Sequence, residues 1–150
     1  MIGTDKVSSD EIIIDAPVEV VWEVLIDFDN YGKWNLFSPQ TSAELKLGSP
    51  VTMMVDLGNG LQKQVEYITC IEPNEAIAWG MENKPGDPIH AVRTQTLTRL
   101  SDSQCSYLSV DEFSGAAVPA MMELMAKPVK DGFNLCAQGL KQYAEQLYRG

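Results

Sequence analysis

From Val118 to Leu147, the residues Val118, Met122, Met125, Val129, Phe133, Cys136, Leu140, Tyr143 and Leu147 step by three or four positions. That spacing draws one apolar stripe along a helix, about 40 Å long at 1.5 Å per residue. Lys141 and Arg149 suit its negative end. Pro128 sits inside it, which predicts a kink or a short break near Met125–Pro128. A rod of this length needs a large apolar surface to lie on, and the preceding sequence supplies one.

Between Thr41 and Gly115 the chain reads as strands joined by turns. The predicted strands are Ser42–Leu47, Val51–Leu57, Leu61–Ile71, Ala76–Glu82, Ile89–Leu100 and Cys105–Phe113. Gly58-Asn59-Gly60 is a strong hairpin signal because both residue types tolerate positive φ. Short strands at this cadence describe an antiparallel meander rather than alternating strand–helix units. Ahead of them, Asp10–Asp15 reads as a first strand that Ala16-Pro17 ends. Val18, Val21, Trp22, Leu25 and Ile26 then form a helical face, with Asp15 as a candidate N-cap or near-cap. A short second helical turn is expected to carry Tyr31 and Trp34. The fold class is therefore α+β: a curved antiparallel sheet of six or seven strands around a long C-terminal helix, in a single domain spanning residues 1–150.

Composition narrows the possible partners. Of 150 residues, 21 are acidic and 11 basic, a formal net charge of −10 that repels phosphate backbones and anionic membranes. No nucleic-acid partner and no membrane insertion are expected, since no stretch approaches the roughly 20 apolar residues a bilayer span requires. The opening MIGTDKVSSDEIII lacks a charged-then-apolar leader pattern, so the expected compartment is the cytoplasm. Cys70, Cys105 and Cys136 are odd in number, widely spaced and set in apolar runs, which reads as buried thiols. With one histidine, His90, and no Cys/His cluster, there is no zinc ligand set, and calcium-loop spacing is absent too. No metal and no cofactor are expected, and monomer and homodimer both fit.

The stretch DAPVEVVWEVLIDFDNYGKWN, from Asp15 to Asn35, resembles the opening of the SRPBCC (START-like, helix-grip) superfamily. CIEPNEAIAW (Cys70–Trp79) is similar to its proline turn and following Leu-x-Trp strand. DEFSG (Asp111–Gly115) resembles the end of its last strand, and GFNLCAQGLKQYAEQL (Gly132–Leu147) its closing helix. The resemblance implies a pocket between the sheet and the long helix. Its functional reach is wide, because the superfamily includes lipid carriers, hormone receptors, polyketide cyclases and co-chaperones.

Several residues are candidates for that pocket. Trp22 reads as a structural wedge. Trp34 and Phe37 follow the second helix, where the resemblance places part of the pocket wall. Trp79 shares a strand face with Ile77 and Met81, and by resemblance that face looks inward. Met121, Met122 and Met125 cluster at the start of the long helix, suiting an adaptable pocket mouth, and Phe133 follows on the same stripe. Pro128 and Gly132 could let that end of the helix move. Arg93 and Gln95 alternate with Ala91 and Leu97. An arginine in such a strand is more often at a sheet edge or tilted to water, and if it points inward it needs a partner. Glu112, on a strand face with Leu108 and Val110, is the expected one.

The leading functional expectation is binding of a small hydrophobic or amphipathic molecule (lipid, polyketide or isoprenoid-like) between sheet and helix. One alternative is a polyketide cyclase or dehydratase-like enzyme drawing acid–base groups from Arg93, Glu112, Asp111 or His90. The nucleophile motifs and the phosphate loop are absent, which weakens that alternative. Another is a co-chaperone-like interaction module with a collapsed cavity.

Overall fold

The computed structural model describes residues 2–58, 60–82 and 84–150. The hairpin residue Asn59 and the loop residue Asn83 lie outside the described residues. The strands are β1 (Lys6–Ser8), β2 (Ile12–Ile14), β3 (Gln40–Ser42), β4 (Pro50–Asp56), β5 (Leu61–Glu72), β6 (Ala76–Gly80), β7 (His90–Ser101) and β8 (Gln104–Ser114). Helix α1 spans Val18–Ile26, a 3-10 helix follows at Phe28–Lys33, and α2 runs from Val118 to Arg149.

Every strand pairing is antiparallel, in the order β1-β8-β7-β6-β5-β4-β3, with β2 also on β8. The sheet is therefore seven strands wide, because β1 and β2 lie end to end along β8. The predicted first strand is only the second half of that edge. Between Ser8↔Val110 and Ile12↔Tyr107 the edge holds one extra residue. Ser9 manages this bulge: its N–H donates to the Ser109 carbonyl (2.9 Å), and its hydroxyl accepts from the Ser109 N–H (3.0 Å).

Three further expectations need correction. The strand predicted at Ser42–Leu47 is a three-residue strand at Gln40–Ser42 followed by a turn. Its apolar alternation never meets the core, since Leu45 and Leu47 are exposed. Asp15 does not cap α1. Pro17 holds the N-cap position, while Asp15 accepts from the Gln104 side-chain amide at 2.9 Å. Of the kink or short break expected near Pro128, the break is absent: α2 is continuous from Val118 to Arg149. The carbonyl that Pro128 leaves without its helical partner belongs to Leu124, a residue on the exposed face.

The register places the interior in rows. Ile68, Trp79, Arg93, Asp111 and Val7 stand side by side across β5, β6, β7, β8 and β1. One step nearer the start of α2 lie Ala91 and Phe113, and one step deeper lie Ile77, Gln95 and Ser109. Helix α2 covers this face, burying Met122, Ala126, Val129, Phe133, Cys136 and Leu140 among others. Two glycines two helical turns apart let it sit close: a Cβ on Gly132 would meet the Phe37 ring at 2.3 Å, and one on Gly139 the Trp34 carbonyl oxygen at 1.9 Å. Gly132 thus serves as a seat for Phe37. Trp22 is buried in the same core.

Candidate functional site

Side chains do not fill the space between the sheet and the first half of α2. A cavity of about 380 Å³ remains there, walled by Phe37, Met53, Val55, Trp79, Phe113 and Phe133 and roofed by Met121, Met125 and Val129. Leu57, Met81, Ile89 and Ala91 line it towards the outside, and its polar residues are Gln64, Glu66, Arg93 and Asp111. A small set of polar groups in an apolar hollow of this size is the usual constitution of a small-molecule site.

Arg93 is buried at the centre of the sheet, not at an edge. Its Nε donates to the Ser109 hydroxyl (2.8 Å) and its Nη2 to the Cys136 sulfur (3.6 Å). The guanidinium carbon lies 4.2 Å from the Phe133 ring centroid, 5.6 Å from Phe37 and 5.9 Å from Trp79. Three aromatic faces and two polar partners hold the charge in place of a carboxylate. Burial opposes that charge, but the influence of Tyr107, Cys136 and Asp111 outweighs it and keeps Arg93 above its ordinary pKa.

The expected Arg93–Glu112 pair does not form. Glu112 stands in register with Val92 and Lys6 on the outer face and is exposed, so the parity is one residue from the expected one. Asp111 is the residue opposite Arg93, yet no Arg93–carboxylate approach within 4 Å occurs among the described residues. The Asp111 Oδ1 is shut off from solvent and accepts no hydrogen bond. Burial pushes its carboxyl up to about 7, with Arg93 acting against the rise. Burial, with repulsion from Asp111, pushes Glu66 up to about 8. The cavity thus holds two carboxyls that resist being ionised together.

Of the residues singled out from sequence, Phe37, Trp79, Met81, Arg93, Asp111, Met121, Met125 and Phe133 line the cavity. The others lie elsewhere. Trp34 packs edge-on against Tyr31 at 4.8 Å and under Gly139. Gln95 sits one row deeper, accepting from the Tyr107 hydroxyl at 2.6 Å. Met122 is buried in the core, and the His90 Nε2 pairs with the Met81 carbonyl at 3.0 Å. Glu66 and Gln64 went unrecognised. Gln64 and Glu66 stand at inward positions, opposite Met53 and Val51, while Val65 between them is 41% exposed at the cavity's rim. Reading apolar as inward inverts that strand.

A sheet laid over a long C-terminal helix with a cavity between them defines a helix-grip protein of the START-like kind. The solved structures it resembles include the Zhui aromatase/cyclase from Streptomyces sp. R1128 (TM-score 0.76, 17% identity, covering 94% of this chain and 93% of that one). A START superfamily protein from Mycobacterium smegmatis is similar too (TM-score 0.75, 16% identity, 95% and 99% covered). So is a norcoclaurine synthase point mutant from Thalictrum flavum in complex with a transition state analogue (TM-score 0.70, 10% identity, 95% and 94% covered). At these identities the likeness is one of fold. No curated protein matches the chain by sequence. The family model described as "Activator of Hsp90 ATPase homolog 1-like protein" matches residues 15–145, and the chain belongs to that family, within the SRPBCC superfamily.

Proposed function

We propose that this chain binds a small hydrophobic or amphipathic molecule in the cavity between the sheet and α2. The observation that carries the reading is the 380 Å³ of space left among apolar walls, with Arg93, Asp111 and Glu66 converging at its polar side. Packed interiors rarely leave a void that large without a use for it. Apolar contact supplies the affinity, and the polar groups orient the ligand. The cavity suits a compact body such as a short lipid, a polyketide or an isoprenoid presents. The whole of residues 1–150 acts as one ligand-binding unit. Its net charge of −10 turns it away from nucleic acid and anionic membranes. Among the described residues no helix is long and apolar enough to cross a membrane.

Native mass spectrometry of freshly purified protein, followed by organic extraction, tests the proposal. A retained apolar molecule at one per chain is the expected result. Protein that is empty and also fails to bind an apolar fluorescent probe would overturn it.

A second reading rests on the same carboxyls. A group poised near 8 can donate a proton at neutral pH and one poised near 7 can accept it, which suits the acid–base work of a cyclase or dehydratase. In that case Glu66→Gln lowers turnover far more than it weakens ligand binding. His90 and Glu112 play no part in this reading, since neither lines the cavity. The family's description names an Hsp90 ATPase activator, and an interaction module of that kind was expected to have a collapsed cavity. The open space beneath α2 counts against that version.

A further inference from the structure

We propose that the polar side of the cavity receives the ammonium group of a hydrophobic amine, seated between Asp111 and Glu66. This rests on the cavity being a ligand site and names the chemistry of its occupant.

What Asp111 and Glu66 lack is donors, although Gln64 and Arg93 also line the cavity. Among the described residues no group donates a hydrogen bond to either carboxyl, and Asp111 Oδ1 is shut off from solvent as well. Buried acceptors without donors are costly, and the ligand that relieves them must bring N–H or O–H groups. Arg93 does not fill the need, because among the described residues no carboxylate oxygen lies within 4 Å of its guanidinium nitrogens; its hydrogen bonds go to Ser109 and Cys136. A hydroxyl brings one donor, a carboxylate none, and an alkylammonium up to three together with a positive charge.

Charge balance points the same way. With Glu66 protonated, Arg93 and an ionised Asp111 leave the cavity neutral, and an ammonium keeps it neutral by displacing the Glu66 proton. An anionic ligand would have to be accompanied by proton uptake. Among the described residues no group of three or more His, Cys, Asp or Glu side chains is arranged to hold a metal ion, so a metal is a poor substitute for the ammonium. The aromatic and methionine walls suit the amine's apolar body.

Binding must then be linked to protons. The charged and titratable groups facing this end are Glu66 on β5, Arg93 on β7, Asp111 and Tyr107 on β8, and Cys136 on α2. Near pH 7, where Glu66 is largely protonated, seating an ammonium releases a proton from the carboxyl pair. Affinity for the amine should rise as pH goes from 6 to 8.

The test is calorimetric titration of the full chain at pH 8 with octylamine, 1-octanol and octanoate, which share one apolar chain. Octylamine is expected to bind at least tenfold more tightly than 1-octanol. At pH 7, octylamine titrations in buffers of different ionisation heat should show net proton release. Glu66→Gln and Asp111→Asn each remove a charge from a mutually repelling pair and keep its shape, so both fold. Each should lose at least fivefold in octylamine affinity and leave 1-octanol unchanged. If 1-octanol or octanoate matches octylamine, the amine assignment is overturned while the cavity still binds ligand. If none of the three binds, the proposed function falls with it.

Discussion

The two halves of α2 carry the same apolar stripe but do different work. The half from Lys130 to Arg149 is clamped to the N-terminal strands. Lys130 reaches Asp10 at 3.0 Å, and Asn134 accepts from the Asp10 N–H at 2.8 Å. Lys141 donates to the Ile13 carbonyl, and Glu145 accepts from the Asp15 N–H, both at 2.8 Å. Two glycines bring this half close to Phe37 and Trp34. The half from Val118 to Val129 has no side-chain hydrogen bond to the sheet among the described residues, and its one ion pair, Lys127–Asp131, stays on the helix. It touches the rest of the molecule through apolar side chains alone, among them Val118, Met121, Met122, Met125, Ala126 and Val129, with Leu124 74% exposed between them. Periodicity tells a helix which face to bury. The residues between the stripe positions decide whether that face seals a core or roofs a cavity.

The largest expected effect is in the clamped half. Gly139→Ala puts a methyl 1.9 Å from the Trp34 carbonyl oxygen, and backbone cannot swing aside. Urea unfolding should show a loss of about 3 kcal/mol. A loss below about 1 kcal/mol would mean that this half is as loosely seated as the other.

Two glutamates sharpen the contrast because they respond to pH in opposite senses. Glu66, beneath the roof, has a folded-state pKa raised from 4.5 to about 8. Its contribution is fully present below its unfolded value and is lost as pH rises towards 8. Glu66→Gln removes that loss, so the variant should be more stable than the parent at pH 8 and equal to it at pH 4. Glu145, in the clamp, is held below its ordinary value. Burial opposes its ionisation, but Lys141 and the Asp15 N–H outweigh burial. Its contribution is present above its unfolded pKa and is lost as pH falls through the depressed one. Glu145→Gln should therefore cost about 1 kcal/mol at neutral pH and progressively less in acid.

The smallest effect on stability belongs to the roof. Met125 is only half-buried and already borders empty space, so Met125→Ala should cost less than about 1 kcal/mol. The same change should weaken binding of an apolar fluorescent probe several-fold. Equal losses of stability from Met125→Ala and Gly139→Ala would erase the distinction between the halves.

Much of this was legible in the chain. Strand–turn cadence and the three-to-four-residue stripe lead to a sheet under one long helix, and the opening motif carries the helix-grip likeness. The site was legible where apolar identity alone decides, as at Trp79, Phe37 and the methionines. It was obscured where parity decides. The register shift between Arg99 and Ser101 in the β7–β8 pair and that between Ile68 and Cys70 in the β5–β6 pair are set by pairing across strands, which no single segment encodes. For that reason Glu112 was favoured over Asp111, and Glu66, at an inward position of β5, went unseen.

The most direct test of a ligand site under the roof is to fill it. Ala91 lines the cavity from β7, and Ala91→Phe places a ring in that space. Titration of an apolar fluorescent probe should show one saturable site per chain in the parent and none in the folded variant. Equal binding to both, or no binding to the parent, would contradict the account.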